Sequence, residues 1–290
     1  MTTTMPFTEA STSKFVDSKP WPMHYNEAGE GHPVIMIHGG GPGATGWSNF
    51  NQNMTQLSKK YRCLAVDMPG WGQSGEVEPG TVNPAAALLG FMDALGIEKA
   101  AFLGNSMGGA ATLSFAVEHS ERVSHIVTMG SAPVGGMTAT QPGGGPSEGM
   151  KVLFETYEDP SVENFRRLIR VMVYDSSFVT DELLRQRSES ALSNRKHLEN
   201  SVEARRRMMA AGGPPLPSGP TVLHRLTKID IPALIIHGRD DRTTPLETSL
   251  QILSALPNSR MLIFNHCGHW AQLEHAQEFN NEVELFLSTH

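Results

Sequence analysis

Ser106 lies within Gly104-Asn105-Ser106-Met107-Gly108, between the apolar run Ala100–Leu103 and the apolar stretch Ala110–Ala116. The run reads as a buried strand and the stretch as the start of a helix. A strand that turns sharply into a helix strains the turn residue and leaves its side chain clear of the sheet, as in the G-x-S-x-G elbow. The flanking glycines are expected because a Cβ at either place would strike a neighbouring strand or helix. A serine hydroxyl is a nucleophile only when a base takes its proton and a carboxylate orients that base. Both partners follow along the chain. "HGRDDRTTP" after the run Ala233–Ile236 offers Asp240 and Asp241, and "NHCGHWAQLEH" after Met261–Phe264 offers His266, His269 and His275. Serine, acid and histidine in this order match the elbow enzymes. Spacing alone leaves the choice between the two aspartates open.

The fourth piece is "HGGGPGATGWSNF", His38 to Phe50. Acyl transfer creates an oxyanion that needs preorganised N–H donors, each worth roughly 3 kcal/mol. A glycine run lets backbone amides approach a substrate closely. A phosphate cradle is excluded, because the lysine of G-x-x-x-x-G-K-[ST] is absent.

Elements must carry these pieces to one place. Six short apolar runs, Pro33–Ile37, Cys63–Val66, Ala100–Leu103, Ile126–Met129, Ala233–Ile236 and Met261–Phe264, are continuous rather than alternating. That pattern predicts strands covered on both faces, in a parallel sheet wrapped by helices. Pro84–Leu95, Gly108–Glu118, Leu246–Leu256 and Ala276–Leu287 read as the intervening helices. The alternation breaks after Gly130. A Gly/Pro/Thr-rich stretch, about 60 residues of charged helical sequence and then Ala210–Pro220 ("AAGGPPLPSGP") mark an insertion. The expected division is a core over 1–133, a helical cap over 134–220 and the rest of the core over 221–290. Insertions after a sheet strand overhang the site at the strand ends.

With 290 residues the chain can bury a large core, and its formal net charge of −7 argues against nucleic acid or an anionic membrane as partner. Two cysteines, Cys63 and Cys267, give no disulfide framework and suit a reducing compartment. No apolar run approaches the ~20 residues that span a bilayer, and no signal peptide is read at the N-terminus. The expected compartment is the cytoplasm. The twelve histidines show no H-x-x-x-H or comparable spacing, so no metal site is expected. Asp67 and Asp93 follow no late strand and read as structural. Cys267 stands near His269, but the complete serine set makes a cysteine nucleophile redundant.

The order HGGGPG, GNSMGG, GRDDRTTP and CGHWAQLEH resembles the α/β-hydrolase superfamily, over nearly the whole chain. Within it the chain is similar to the meta-cleavage product hydrolases, which cut carbon–carbon bonds in dienoates from aromatic-ring degradation. "HYNEAG" at His24–Gly29, "WSNF" at Trp47–Phe50 and "RVMVYDSSFVTDELLRQR" at Arg170–Arg187 carry the narrower match. The resemblance implies an α/β-hydrolase fold with a helical cap, no cofactor, a small-molecule substrate and a homo-oligomer. It implies Ser106 as nucleophile and His269 as base, with His266 and His275 facing solvent or backbone. Asp241 becomes the acid because the family pattern G-x-x-D-x-x-x-P fits Gly238 to Pro245. Oxyanion donors fall on the backbone N–H groups of Gly40 and Met107. Substrate contacts fall on Asn49, Asn105, Arg187 and Trp270, with Gly39 and Gly41 beside them. Arg187 would grip a carboxylate bidentately from the cap.

Two departures stand out. "MGSAPVGG" replaces the family's Met-Gly-Pro-Gly-Gly, and Thr243-Thr244 stand where members with bulky aryl substrates carry large apolar residues. Both favour a smaller or more polar distal pocket. They keep a second activity in view, a carboxylesterase, lactonase or amidase using the same triad. A binding module that retains a hydrolase shell is disfavoured by the intact Ser-Asp-His set.

Overall fold

The computed structural model describes residues 7–78, 80–135, 145–210 and 220–289. Eight strands form one sheet: β1 Ser13–Val16, β2 Met23–Ala28, β3 His32–Ile37, β4 Tyr61–Val66, β5 Ala100–Asn105, β6 Val123–Met129, β7 Ala233–Gly238 and β8 Ser259–Phe264. Their spatial order is β1-β2-β4-β3-β5-β6-β7-β8. Pairs from β4 through β8 are parallel, while β1–β2 and β2–β4 are antiparallel. The six apolar runs all fall on strands β3 to β8. Strands β5 and β7 are buried throughout, but β8 is only partly covered and leaves Ile263 45% exposed at the sheet edge. The expectation of two covered faces therefore fails at that edge.

Twelve α-helices and a 3-10 turn at Ser120–Arg122 complete the described structure. Around the sheet lie α1 Glu9–Thr12, α2 Gly46–Leu57, α3 Pro84–Ala94 and α4 Met107–Glu118. The excursion between β6 and β7 supplies α5 Glu148–Glu158, α6 Val162–Met172, α7 Asp181–Ser193, α8 Arg195–Ala210 and α9 Val222–Leu226. The chain ends with α10 Leu246–Ala255, α11 Ala271–Glu274 and α12 Ala276–Thr289. Two apolar clusters line the two faces of the sheet, one around Phe91, Phe102 and Phe115, the other around Phe50, Met54 and Phe279. Helices α5 to α8 gather a third cluster around Phe165, Leu168 and Leu184, with Trp270 packed against it. The Gly/Pro stretches expected to punctuate the insertion fall in large part on 136–144 and 211–219, outside the described residues.

The backbone at the elbow is strained as the pattern requires. Ser106 has φ 51° and ψ −112°, one of two non-glycine residues with positive φ among those described. A Cβ on Gly104 would overlap the Gly108 carbonyl, and one on Gly108 would overlap the Ile37 carbonyl of β3. The strand and helix meet so closely that only hydrogen fits.

Candidate active site

Ser106 closes β5 and caps α4 without a side-chain hydrogen bond, so the first amides of that helix stay free. Its own amide is tied to Met129 O at 2.9 Å, and its carbonyl accepts from Ala132 N at 2.9 Å. These bonds fix the elbow against the end of β6. The serine lines a narrow cleft under the cap helices, together with Gly39, Gly40, Gly41, Asn49, Asn105, Arg187, His269 and Trp270. Among the described residues no hydrogen bond joins Ser106 Oγ to His269; such contacts tighten when substrate arrives.

His269 and Asp241 are joined directly. His269 Nδ1–H donates to Asp241 Oδ2 at 2.7 Å, with both side chains at most 3% exposed. The other carboxylate oxygen, Oδ1, accepts from Thr243 N at 2.7 Å and Thr244 N at 3.0 Å. Burial alone pushes this carboxyl up. The adjacent His269 imidazole and the backbone donors outweigh it and bring Asp241 below its ordinary value. A buried histidine, His237, stands behind the pair: Nε2 faces Thr244 O at 3.1 Å and Asp241 Oδ2 at 3.6 Å, and Nδ1 faces Ser249 Oγ at 2.8 Å. Asp240 instead turns outward to Arg239.

The loop bearing His269 is held from two sides. Its amide donates to Met172 O at 2.6 Å, and Glu274 accepts from Gly268 N at 2.8 Å and Tyr174 N at 2.7 Å. Gly130 gives the imidazole its room, since a Cβ there would sit 2.9 Å from His269 Nδ1. His266 is exposed and stacks on Tyr174, while His275 Nε2 faces the His266 carbonyl at 3.1 Å. Cys267 is buried, and its thiol is pushed far up by burial and by Glu274, which keeps it protonated and inert.

The glycine run lies opposite. A Cβ on Gly40 would stand 3.3 Å from both Cβ and Sδ of Met107, so the two proposed oxyanion residues are neighbours. Neither the Gly40 nor the Met107 amide has a protein acceptor among the described residues. Met107 also lines a second cavity, beside Trp71 and His197. Asn49 is used by the loop itself: Oδ1 accepts from Gly39 N at 3.3 Å and Nδ2 donates to Thr45 O at 3.1 Å. Asn105 Nδ2 donates to Met129 O at 3.2 Å, whereas its buried Oδ1 has no partner among the described residues.

Arg187 reaches the cleft from α7. Its guanidinium is desolvated, which lowers its pKa; it lies 5.9 Å from the Trp270 ring and makes one long contact, 3.5 Å, to Ser48 O. No carboxylate pairs with it among the described residues. Asp67 is structural: buried, it accepts from Gly46 N at 2.7 Å and faces His24 Nδ1 at 2.8 Å. Asp93 is an exposed partner of Arg122.

The sequence reading missed the cleft's far wall, built from Met150, Leu153, Phe165, Leu168, Ile169 and Met172. The signal was present in α6, where Phe165, Leu168, Ile169 and Met172 recur at helical spacing. Thr243 lines the cleft too, its hydroxyl donating to Met172 Sδ at 3.1 Å, but Thr244 does not reach it. Among the described residues no helix is long and apolar enough to cross a membrane.

Residues 32–276 match the family described as alpha/beta hydrolase fold. The chain is 44% identical over 290 residues to the 2-hydroxy-6-oxo-6-phenylhexa-2,4-dienoate hydrolase of Comamonas testosteroni, covering 97% of this chain and 98% of the relative. It is 41% identical over 297 residues to a 2-hydroxy-6-oxononadienedioate/2-hydroxy-6-oxononatrienedioate hydrolase of Burkholderia vietnamiensis, covering 99% of each. Among solved structures it superposes on an alanine mutant of the meta-cleavage product hydrolase CumD from Pseudomonas fluorescens IP01, complexed with acetates. That match has TM-score 0.81 and 33% identity, over 95% of this chain and 97% of the other. An elbow serine, a buried Asp–His pair and a glycine loop around one cleft, with full-length likeness of this degree, place the chain in the alpha/beta hydrolase fold family, among the meta-cleavage product hydrolases.

Proposed function

We propose that the protein hydrolyses a carbon–carbon bond in a 2-hydroxy-6-oxo-hexa-2,4-dienoate that carries one carboxylate and an uncharged acyl group. The observation that carries this reading is Arg187, a largely desolvated guanidinium in the cleft with no carboxylate beside it among the described residues. A buried charge without a partner is costly, and an anionic ligand supplies the partner. A neutral ester would leave it unpaired, which disfavours the esterase, lactonase and amidase reading. Arg187 is also the one arginine or lysine among the described lining residues, and the far wall is apolar. A second carboxylate, as in the dienedioates named for some relatives, would meet methionine, leucine and phenylalanine there.

In the reaction the dienol first becomes a ketone, with Arg187, Asn105 and Trp270 holding the carboxylate end. The unpartnered Asn105 Oδ1 suits a donor such as the 2-hydroxyl. His269, oriented by Asp241, takes the Ser106 proton, and Oγ attacks the C6 carbonyl carbon. The oxyanion lies against the amides of Gly40 and Met107, with Gly39 and Gly41 beside it and Asn49 keeping the loop in shape. The C5–C6 bond breaks; its electron pair moves through C4 and C3 to the C2 carbonyl oxygen, which takes the proton held by His269, releasing a hydroxypentadienoate. Water, deprotonated by His269, then clears the acyl-enzyme. Residues 134–220 act as the cap that covers this chemistry. The reading further places the enzyme in the cytoplasm as a homo-oligomer, supported by the family resemblance and two unpaired, buried cysteines.

The test is a panel of three substrates: a 6-phenyl or 6-alkyl dienoate, the corresponding dienedioate and a p-nitrophenyl ester. Loss of the yellow dienoate colour with release of the free acid is expected, fastest for the monocarboxylate. Faster turnover of the dienedioate overturns the one-carboxylate reading, and turnover of the ester alone overturns the carbon–carbon assignment.

A further inference from the structure

His38 follows β3 directly, is fully buried, and spends both ring nitrogens on backbone. Met68 N–H donates to Nε2 at 3.1 Å, so that nitrogen carries no proton. Nδ1 must then carry it, and Nδ1–H donates to Gly39 O at 2.8 Å. Burial holds the ring neutral by lowering its pKa, against a smaller opposing effect of Asp67. The Trp71 ring closes over it, with centroids 5.7 Å apart.

The Gly39 carbonyl and the Gly40 N–H belong to one planar peptide, and that peptide is trans. In a trans peptide the two groups point in opposite directions. A hydrogen bond that draws the Gly39 carbonyl inward, under the buried imidazole, therefore turns the Gly40 N–H outward to the cleft that Gly40 lines. Without it the peptide is free to rotate, because three consecutive glycines lack the Cβ that would forbid the flipped form. The peptides on either side have their own holders. Asn49 Oδ1 takes Gly39 N–H at 3.3 Å, and the Tyr157 hydroxyl, from α5, donates to Gly40 O at 3.3 Å. Among the described residues, only the bond to His38 holds the peptide whose N–H faces the developing oxyanion.

We infer that His38 is a positioning residue of the oxyanion hole, holding the Gly40 amide toward the cleft by fixing the Gly39–Gly40 peptide. This rests on the reading of Ser106 as nucleophile and Gly40 N–H as oxyanion donor. A donor lost from such a site costs about 10²- to 10³-fold in kcat, and a donor misaimed part of the time costs less.

The test compares His38→Gln and His38→Asn, with kcat and KM measured on a dienoate and on a p-nitrophenyl ester. The asparagine amide nitrogen falls near the place of Nδ1 and keeps a donor for Gly39 O. Glutamine places its amide near Nε2 and loses that donor. The expected result is a kcat loss of roughly 10- to 100-fold for His38→Gln on both substrates, with KM within about threefold. His38→Asn should recover most of the rate. A merely structural histidine would tolerate the larger glutamine at least as well, so equal losses in the two variants overturn the inference, as does a full kcat in His38→Gln. If Ser106→Ala is inert while His38→Gln keeps full kcat, only the role of His38 falls; if Ser106→Ala keeps activity, the site reading itself falls. Should His38→Gln fail to fold, nitrogen NMR of the parent enzyme decides. The Nδ1–H tautomer supports the arrangement, and an Nε2–H tautomer overturns it.

Discussion

Asp241 Oδ2 stands 2.7 Å from His269 Nδ1 in a nearly dry setting, while its neighbour Asp240, 30% exposed, turns to Arg239. One residue of sequence separates a buried orienting carboxylate from a surface ion pair. The difference arises because β7 ends at Gly238, and the turn that follows exposes Asp240 while Thr243 N and Thr244 N gather around Asp241.

Asp241→Asn should therefore reduce kcat by about 10³- to 10⁴-fold with the fold intact, since an amide cannot hold the imidazole in the Nδ1–H tautomer or support its charge. Asp240→Asn should change kcat less than about twofold. Steady-state kinetics with a circular-dichroism check separates them, and equal losses would remove the distinction.

His269→Ala should be as damaging as Ser106→Ala, each by roughly 10³-fold or more, because residues acting as a unit fail together. The double variant should be little worse than either single one. His266→Ala, at an exposed ring stacked on Tyr174, should keep nearly full rate. The reverse ranking of the two histidines would move the base to His266.

The pH dependence of stability follows from the same carboxylate. The folded pKa of Asp241 is below its unfolded value of about 3.9. In that window the unfolded chain binds more protons, so stability rises with pH. The contribution is complete above the unfolded pKa and is lost as pH falls through the folded one. Thermal melts from pH 6 to pH 2.5 should show the gap between the parent and Asp241→Asn shrinking toward the acid end. A gap that widens on acidification would reverse the assigned sign.

Gly108→Ala tests the elbow's packing. In an ordinary helix this exchange gains about 1 kcal/mol. Here the new Cβ would overlap the Ile37 carbonyl, which belongs to a central strand and cannot yield. Overpacking of about 1–3 kcal/mol is expected, lowering Tm by roughly 3–10 °C. Gly75→Ala, where a Cβ meets nothing within 4 Å, is the control and should leave Tm unchanged.

Strands β3 to β7 were legible because burial on both faces writes a continuous apolar run, β8 because its run stays apolar although it is only partly covered, and the elbow because only glycine fits around Ser106. β1 and β2 were not. His24 and Asn26 are buried in β2, where His24 faces Asp67 and Asn26 Nδ2 donates to Thr12 Oγ1, so a buried strand carries polar letters that read as loop. Helix α2, which carries Asn49, begins inside a Gly-Ala-Thr-Gly stretch whose capping threonine and supporting Asp67 are 22 residues apart in sequence. The cleft's far wall was hidden for another reason. The period of α6 marks an apolar face, but whether that face meets its own cluster or the space above Ser106 depends on packing between segments distant in sequence.

Arg187 separates the two substrate classes most sharply. Its guanidinium is largely desolvated, and its one hydrogen bond among the described residues, to Ser48 O, is long. An incoming carboxylate can satisfy it bidentately, and Trp270 already covers one side. Truncating one partner of such a buried pair costs about 2–4 kcal/mol. Arg187→Ala should thus lower kcat/KM for a dienoate by roughly 30- to 1,000-fold, at tenfold per 1.36 kcal/mol. Hydrolysis of an uncharged p-nitrophenyl ester never uses the arginine and should change little. Arg187→Lys should fall between, since an ammonium keeps the charge but not the planar fork. Equal losses on both substrates would make Arg187 a packing residue of the cap, and with it the argument for an anionic substrate would fail.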